Sequence, residues 1–338
     1  MLKKLIALGL VIIVLFLGAY GYVTHQVANY ISQPLKLESP QLFTVKQGTS
    51  LNRVLAQLES ENLVEHQFYA KLLRFQYSDL TQIKAGTYQL TPDMNLLTAL
   101  HIFTSGKEHQ FAITFVEGSQ FKEWRAALRN AQYLVHVTDD MSEEEIAKAL
   151  GIKQPLLEGL FLAETYHYTQ GASDLDILKR AHRKLEAILD KAWSSKQDDL
   201  PLKTPYEALI LASIIEKETA VESERKRVAS VFINRLKRRM RLQTDPTVIY
   251  GMGDDYNGNI RKKDLREPTP YNTYVINGLP PTPIAMPGSA SIDAALNPEQ
   301  SQYLYFVASG NGGHVFSKTL AEHNRAVRAY LKVLRSQR

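Results

Sequence analysis

The sequence predicts an α+β protein behind a single apolar N-terminal helix, and three observations lead there. Residues 5–23 form an uninterrupted run of apolar and small residues without a charge. Beyond it, short alternating stretches such as FTV, TYQL, YLYFVAS and GHVFSK read as strands, and they are interspersed with longer stretches of helical period. The third observation is LILASIIEKETA, beginning at Leu209, which is apolar around most of its circumference and so marks a helix buried inside a domain. A chain of 338 residues with 44% hydrophobic content is long enough for two or three domains with ordinary cores.

The elements follow in order. Residues 1–4 form a short tip carrying Lys3 and Lys4, and residues 5–23 are just long enough, at about 1.5 Å per residue, to cross hydrocarbon. The positive flank puts the N-terminus in the cytoplasm and everything after Val23 on the other side. A cleaved signal peptide has a shorter apolar core and a small-x-small site, and AYGYVTHQVA offers only weak candidates, so a retained transmembrane anchor is expected. The absence of cysteine fits an extracytoplasmic protein without disulfides and fits many cytosolic proteins equally. Residues 24–40, with Pro34 and Pro40 among polar residues, read as a linker leaving the membrane.

Residues 41–110 form the next expected domain. A short strand turns at Gly48, and Ser50 is placed to cap a helix with apolar positions Leu51, Val54, Leu55 and Leu58. This opening resembles a LysM domain, a module that binds N-acetylglucosamine polymers, over residues 43–58. A second helical stretch, VEHQFYAKLLRF, follows; then Gly86 and Pro92 bracket a strand, and Asp93 is placed to start a helix ending near Gly106. The segment is longer than a LysM module, which leaves a working sugar site and a structural spacer both open.

Residues 111–338 form the last and largest domain. FAITFVEGSQFKEWRAALRNA reads as a strand and a helix, and the acidic residues 139–145 open another helix. In LLEGLFLAETYHYT aromatics crowd around Glu158, Gly159, Glu164 and Thr165. Residues 175–192 are helical, and Thr204, Pro205 and Glu207 read as a capping box with proline at the first helical position. Two strands joined through Gly310, Asn311, Gly312 and Gly313 precede a final helix over residues 321–334, with apolar positions at 326, 329, 330, 333 and 334.

The net charge of +5 is concentrated in Arg225, Lys226, Arg227, Arg235, Lys237, Arg238, Arg239 and Arg241, with Arg261, Lys262 and Lys263 further on. The plain reading is a solvated helix face; the other is contact with an anionic polymer or with lipid headgroups. No nucleic-acid motif accompanies the cluster, and the expected topology puts it where nucleic acid is absent. His314 and His323 are not spaced with carboxylates as a metal site, and no cofactor motif occurs, so neither a metal nor a cofactor is expected.

Chemistry concentrates at the end of the buried helix. Glu218 lies one turn after Ile214 and two after Leu211, so it shares their apolar face, where burial raises a carboxyl pKa toward the value a general acid needs. Glu216 is the competing candidate about 160° around the helix. The plainer reading of Glu218 is an ion pair with Arg225 or Lys226. Gln243, Thr244 and Asp245 follow in a polar loop that either binds sugar hydroxyls or stops a helix, with Asp245 and Pro246 in a turn. Tyr271, Asn272 and Tyr274 either form a sugar platform or pack at a strand edge.

Glu218 followed by Thr219 and Ala220 resembles the glutamate-serine signature of lytic transglycosylases with a lysozyme-like fold. Gln243, Pro246 and Thr247 are similar to the loop facing that acid, and YNTY at 271–274 supplies tyrosines that parallel one orienting it. Together with AGTYQLTPDM, LLEGLFLAETY, RLQTDPTVIYGMG and GLPPTPIAMPG, the chain is identified as a member of the YceG-like family of endolytic murein transglycosylases. It departs at Ala163 and Glu164, where the family commonly has proline and aspartate, though a carboxylate survives at 164. The resemblance implies cleavage between N-acetylmuramic acid and N-acetylglucosamine within nascent glycan strands, giving a 1,6-anhydro end. Glu218 is then the catalytic residue, Gln243, Thr244, Asp245, Tyr271, Asn272 and Tyr274 bind substrate, and Glu216 and Glu164 are secondary candidates. It further implies inner-membrane anchoring, a periplasmic catalytic domain and peptidoglycan synthases as possible partners. A hydrolytic muramidase pairing Glu218 with Asp245 or Glu164, and a non-enzymatic glycan-binding scaffold, are the alternatives.

Overall fold

A computed structural model describes residues 2–66, 68–310 and 312–336 and shows a mixed α+β chain. The expected turn residue Asn311 and the Gln67 of the second helical stretch lie outside the described residues. The chain divides into two compact units: Met1–Phe111 with His167–Gly171, and Ala112–Tyr166 with Ala172–Arg338.

In the first unit, helix α1 (Leu2–Ser32) is the one helix among the described residues long and apolar enough to cross a membrane. It does not end where the apolar run ends. Val27, Tyr30 and Ile31 are buried in the core of the unit, and after the helix Leu35 N–H donates to Met94 O at 2.9 Å while Gln33 O accepts from Leu96 N–H at 3.0 Å. Residues 24–40 are therefore not a free spacer: the apolar side chains among them had core to occupy. Strand β1 (Gln41–Val45) pairs antiparallel with β2 (Gly86–Leu90), in the register Phe43↔Tyr88, which turns Phe43, Val45, Tyr88 and Leu90 inward.

Between them lie α2 (Leu51–Ser60), which buries Leu51, Val54, Leu55 and Leu58, and α3 (Leu73–Gln76). Ser50 is the N-cap of α2 by position, but its side chain makes no capping bond. The single helix expected over residues 64–75 is instead a 3-10 turn, Phe68–Leu72, followed by the one turn of α3. Helix α4 (Leu96–Ser105) begins at Asn95, whose side chain accepts from Thr98 N–H, and not at Asp93; it ends as expected at Gly106 in the left-handed conformation.

The chain continues through β3 (Phe111–Thr114), paired with β4 (Thr165–Tyr168), and through α5 (Phe121–Arg129) and α6 (Glu143–Leu150). A capping box of Ser142 and Glu145 starts α6 as its acidic opening suggested. Then come α7 (Asp174–Ser194), α8 (Pro205–Glu218), α9 (Arg225–Lys237), α10 (Asp245–Met252) and α11 (Ser289–Leu296). The centre of this second unit is α8, buried from Ala208 to Ile215 and packed on α9, α10 and α11. Thr204 accepts from Glu207 N–H at 3.2 Å, but the Glu207 carboxylate reaches back to Lys203 N–H at 2.6 Å, so the expected reciprocal box closes one residue early.

Strands β5 (Tyr305–Ala308) and β6 (His314–Ser317) form an antiparallel hairpin that packs under α12 (Leu320–Ser336). The face of α12 differs from expectation: Ala326, Tyr330 and Val333 are half-buried, whereas Ala329 and Leu334 are exposed.

Candidate functional site

Helix α8 ends at Glu218, with Thr219 in extended conformation as its C-cap. The terminal residue thus projects from the buried core into a cavity of about 340 Å³ whose lining includes Arg235, Gln243, Asp245, Tyr274, Tyr305 and His323. The Thr244 hydroxyl donates to Glu218 Oε1. Burial pushes the Glu218 carboxyl above its ordinary range and nearby Asp245 pushes the same way, while the Thr244 hydroxyl and the charges of His314 and Arg235 oppose them. Among the described residues no ion pair joins Glu218 to Arg225 or Lys226. Lys226 pairs instead with Asp293 at 2.8 Å.

The loop before α10 is held from below. Gln243 adopts φ 51°, an uncommon conformation for a side-chain-bearing residue, and its N–H donates to Thr273 O at 3.2 Å. Thr244 N–H donates to Thr273 Oγ1 at 3.0 Å, and Thr273 Oγ1 also contacts Thr247 Oγ1 at 2.8 Å. Asp245 opens α10 with Pro246 in its first turn, so these residues start a helix rather than stop one. Thr244 is the N-cap, yet its side chain makes no bond to the helix; the hydroxyl is aimed at Glu218.

The YNTY segment forms no strand, and its members divide. Tyr274 reaches the cavity, where its hydroxyl donates to Asp245 Oδ1 at 2.6 Å. Asn272 is only 1% exposed; its side-chain amide donates to Asp264 O and Glu267 O at 3.0 and 2.8 Å, and its oxygen accepts from Tyr274 N–H. It holds the loop and has no surface left for a sugar. Tyr271 does not line the cavity: its hydroxyl meets Thr282 Oγ1 at 2.9 Å and its ring packs edge-on against Tyr250 at 4.8 Å.

The secondary candidates also lie outside the cavity lining. Glu216 Oε2 accepts from Gly288 N–H at 2.9 Å, and Glu164 pairs with Lys184 at 2.7 Å on the surface. Of the carboxylates weighed as partners of Glu218, only Asp245 lines the same cavity.

Arg235 corrects the reading of the basic cluster as one solvated face. It is only 7% exposed, and its guanidinium donates to Leu304 O at 2.7 Å, Leu242 O at 2.8 Å and Arg241 O at 3.1 Å, with Gln243 Oε1 at 3.3 Å and the Tyr305 ring 5.1 Å away. The signal was present: residue 235 falls in helical register with Val228, Val231 and Phe232, the buried face of α9. The other missed wall, Tyr305 stacked on His323 at 5.2 Å, comes from the hairpin and α12 and had no local signature. Among the described residues no group of three or more His, Cys, Asp or Glu is placed to hold a metal ion.

A second buried carboxyl lies elsewhere in this unit. Glu158 is 6% exposed and accepts from Phe121 N–H at 3.1 Å and from the Tyr250 hydroxyl at 3.3 Å; burial pushes its pKa up to about 7. The turn at Gly159 that carries it has φ 77° and lies so close to Pro283 that a Cβ would come within 2.2 Å of the ring.

Comparison with known proteins gives this chain relatives. The sequence model of the YceG-like family matches residues 43–329. The chain is 32% identical to a protein of Bacillus subtilis (strain 168) named endolytic murein transglycosylase, over 93% of this chain and 90% of that one. A protein of the same name from Streptococcus pneumoniae serotype 2 is 27% identical over 96% of this chain and 65% of its own length. The crystal structure of a yceG-like protein from Listeria monocytogenes is 31% identical, with a TM-score of 0.53 over 86% of this chain and 99% of that one.

Proposed function

The chain belongs to the YceG-like family, and from that premise we propose that it is a membrane-anchored lytic transglycosylase that cuts peptidoglycan glycan strands internally, with Glu218 as its general acid and base. The observation that carries this reading is the Glu218 carboxyl at the end of a buried helix, raised in pKa, touched by the Thr244 hydroxyl and open to a polar and aromatic cavity. Glu218 ends a buried helix as the acid of lysozyme-like enzymes does, and strand β1 followed by helix α2 supports the LysM-like reading of residues 43–58. The apolar helix is the anchor, with its N-terminus cytoplasmic and the rest of the chain periplasmic, on the evidence of Lys3, Lys4 and the charge-free run.

The chemistry needs one carboxyl. Neutral Glu218 donates its proton to the oxygen bridging C1 of N-acetylmuramic acid and C4 of N-acetylglucosamine, and the C1–O bond breaks. The 6-hydroxyl of the same muramic residue then bonds to C1, and the Glu218 carboxylate takes the proton that hydroxyl loses. One strand leaves with a free 4-hydroxyl and the other with a 1,6-anhydro end; no water is consumed and the acid is regenerated. Thr244 steadies the carboxylate formed halfway. Arg235 and Tyr274 shape the wall, and Gln243 and Asp245 offer polar atoms to sugar hydroxyl and N-acetyl groups.

A hydrolytic muramidase is the second reading, and the presence of Asp245 on the same cavity favours it specifically. Mass analysis of glycan digested by the purified full chain separates the two. Anhydro ends, one water lighter than reducing ends, support the transglycosylase; reducing ends alone overturn it. Unchanged cleavage by Glu218→Gln removes the catalytic assignment under either reading.

A further inference from the structure

Residues 68–76 present an outward face that the core of the first unit does not use, with Phe68 and Lys71 also bordering a small cavity beside α2 that includes Glu59. The 3-10 turn Phe68–Leu72 and the α3 turn Leu73–Gln76 pack against α1, and their inward residues Ala70 and Leu73 join the core that holds Val27, Tyr30 and Ile31. Their outward face is unusual for a surface. Phe68 is 78% exposed and Phe75 72%, with Lys71 and Arg74 exposed between them and the Arg74 guanidinium 4.7 Å over the Phe75 ring. At about 120° per residue through the 3-10 turn and about 100° through α3, these four side chains fall within about 100° of one another, opposite Ala70 and Leu73. No acidic residue occurs between His66 and Asp79.

The packing of this segment on α1, just past the apolar run, bears on what meets its outward face. The apolar run ends at Val23, which packs half-buried against the core that Val27, Tyr30 and Ile31 enter. At about 1.5 Å per residue this part of α1 covers roughly 12 Å beyond the end of the run, so it begins within a headgroup layer about 5–8 Å deep and ends a few ångströms past it.

We propose that residues 68–76 form a second membrane contact beside the α1 anchor, in which Phe68 and Phe75 enter the boundary between headgroups and acyl chains while Lys71 and Arg74 meet anionic headgroups. Aromatic rings and basic side chains on one face are what an interfacial element presents to a bilayer. The contact turns a single-helix tether into a two-point attachment that fixes the first unit against the bilayer. It rests on the anchoring proposed above.

The chain contains no cysteine, so single labelling sites are available by substitution. Full-length Phe75→Cys, Phe68→Cys and Ile13→Cys, each carrying an environment-sensitive fluorophore, are reconstituted into vesicles of equal parts phosphatidylcholine and phosphatidylglycerol containing shallow or deep doxyl-lipids. The expected result is quenching at 68 and 75 chiefly by the shallow label and at 13 chiefly by the deep one. Lys71→Glu with Arg74→Glu, made in the Phe75→Cys background, is expected to lose most of the quenching at 75. Unquenched 68 and 75 beside a quenched 13 overturn this inference and leave the anchor standing; an unquenched 13 overturns the anchor. Quenching at 75 that is indifferent to the charge reversal overturns the headgroup contact.

Discussion

Two carboxyls in the second unit share a helix and little else. Glu218 receives a hydroxyl from Thr244, at the start of α10, and Glu158 receives one from Tyr250, near its end. Burial raises the pKa of both. Glu218, however, faces a cavity, while Glu158 is sealed under α5 with both oxygens engaged. A raised pKa is therefore a record of burial, and access is what turns it into chemistry. Titration alone does not separate the two carboxyls; access does, and access is why Glu218 is the one proposed as general acid.

The sharpest way to break this contrast is Glu218→Gln, which keeps the shape and removes the proton. Glycan cleavage should fall by about 10²–10⁴-fold, the range of a lost general acid, measured as anhydro ends released per unit time. Glu158→Gln should leave that rate nearly unchanged, because the amide oxygen can still accept from Phe121 N–H and the amide can donate to the Tyr250 oxygen. Its effect belongs to stability. The folded pKa of about 7 lies above the ordinary 4.5, so the fold holds its proton more tightly than the unfolded chain. That contribution is complete below pH 4.5 and is lost as pH rises to about 7. At 1.36 kcal/mol per unit the loss is about 3 kcal/mol; unfolding followed from pH 4 to 8 should show it in the parent and not in Glu158→Gln.

Thr244→Val removes the hydroxyl that stabilises the Glu218 carboxylate. The rate should fall about tenfold, the scale of one hydrogen bond to a charged group. Because the lost bond favoured the ionised form, the alkaline limb of the pH–rate profile should move to higher pH. A limb that stays put would detach Thr244 from Glu218. The smallest effect is expected for Tyr274→Phe, which frees Asp245 from its hydrogen bond without touching Glu218. A severalfold rise in KM with kcat little changed is its expected signature. A collapse of kcat would give Asp245 the role of a second catalytic carboxylate.

The sequence showed the parts of this arrangement that depend on local rules. Thr204 and Pro205 announced α8, and the apolar register of Leu211, Ile214 and Glu218 predicted the burial of the last. The acidic opening of α6 and the end of α4 at Gly106 were legible for the same reason. What failed depended on how irregular segments fold back on themselves or on neighbours far along the chain. Arg235 sits in a basic run although its register with Val228, Val231 and Phe232 places it inward; what the sequence does not show is that its partners are carbonyls at 241, 242 and 304. Asn272 looked like a sugar ligand because nothing local shows that it braces a loop against the carbonyls of Asp264 and Glu267. The wall of Tyr305 and His323 exists only once a hairpin and the last helix meet.

Helix α10 begins with a threonine whose hydroxyl serves a carboxyl outside the helix. Any protein engineer ranking substitutions for thermal tolerance would mark position 244 for aspartate, since a better cap is worth about 1 kcal/mol. That change would set a second negative charge against Glu218, and the stabilised product should be a poor catalyst. On the proposed role of Glu218, position 244 is where durability and turnover compete for one side chain, and a selection for heat resistance alone should find the inactive solution first.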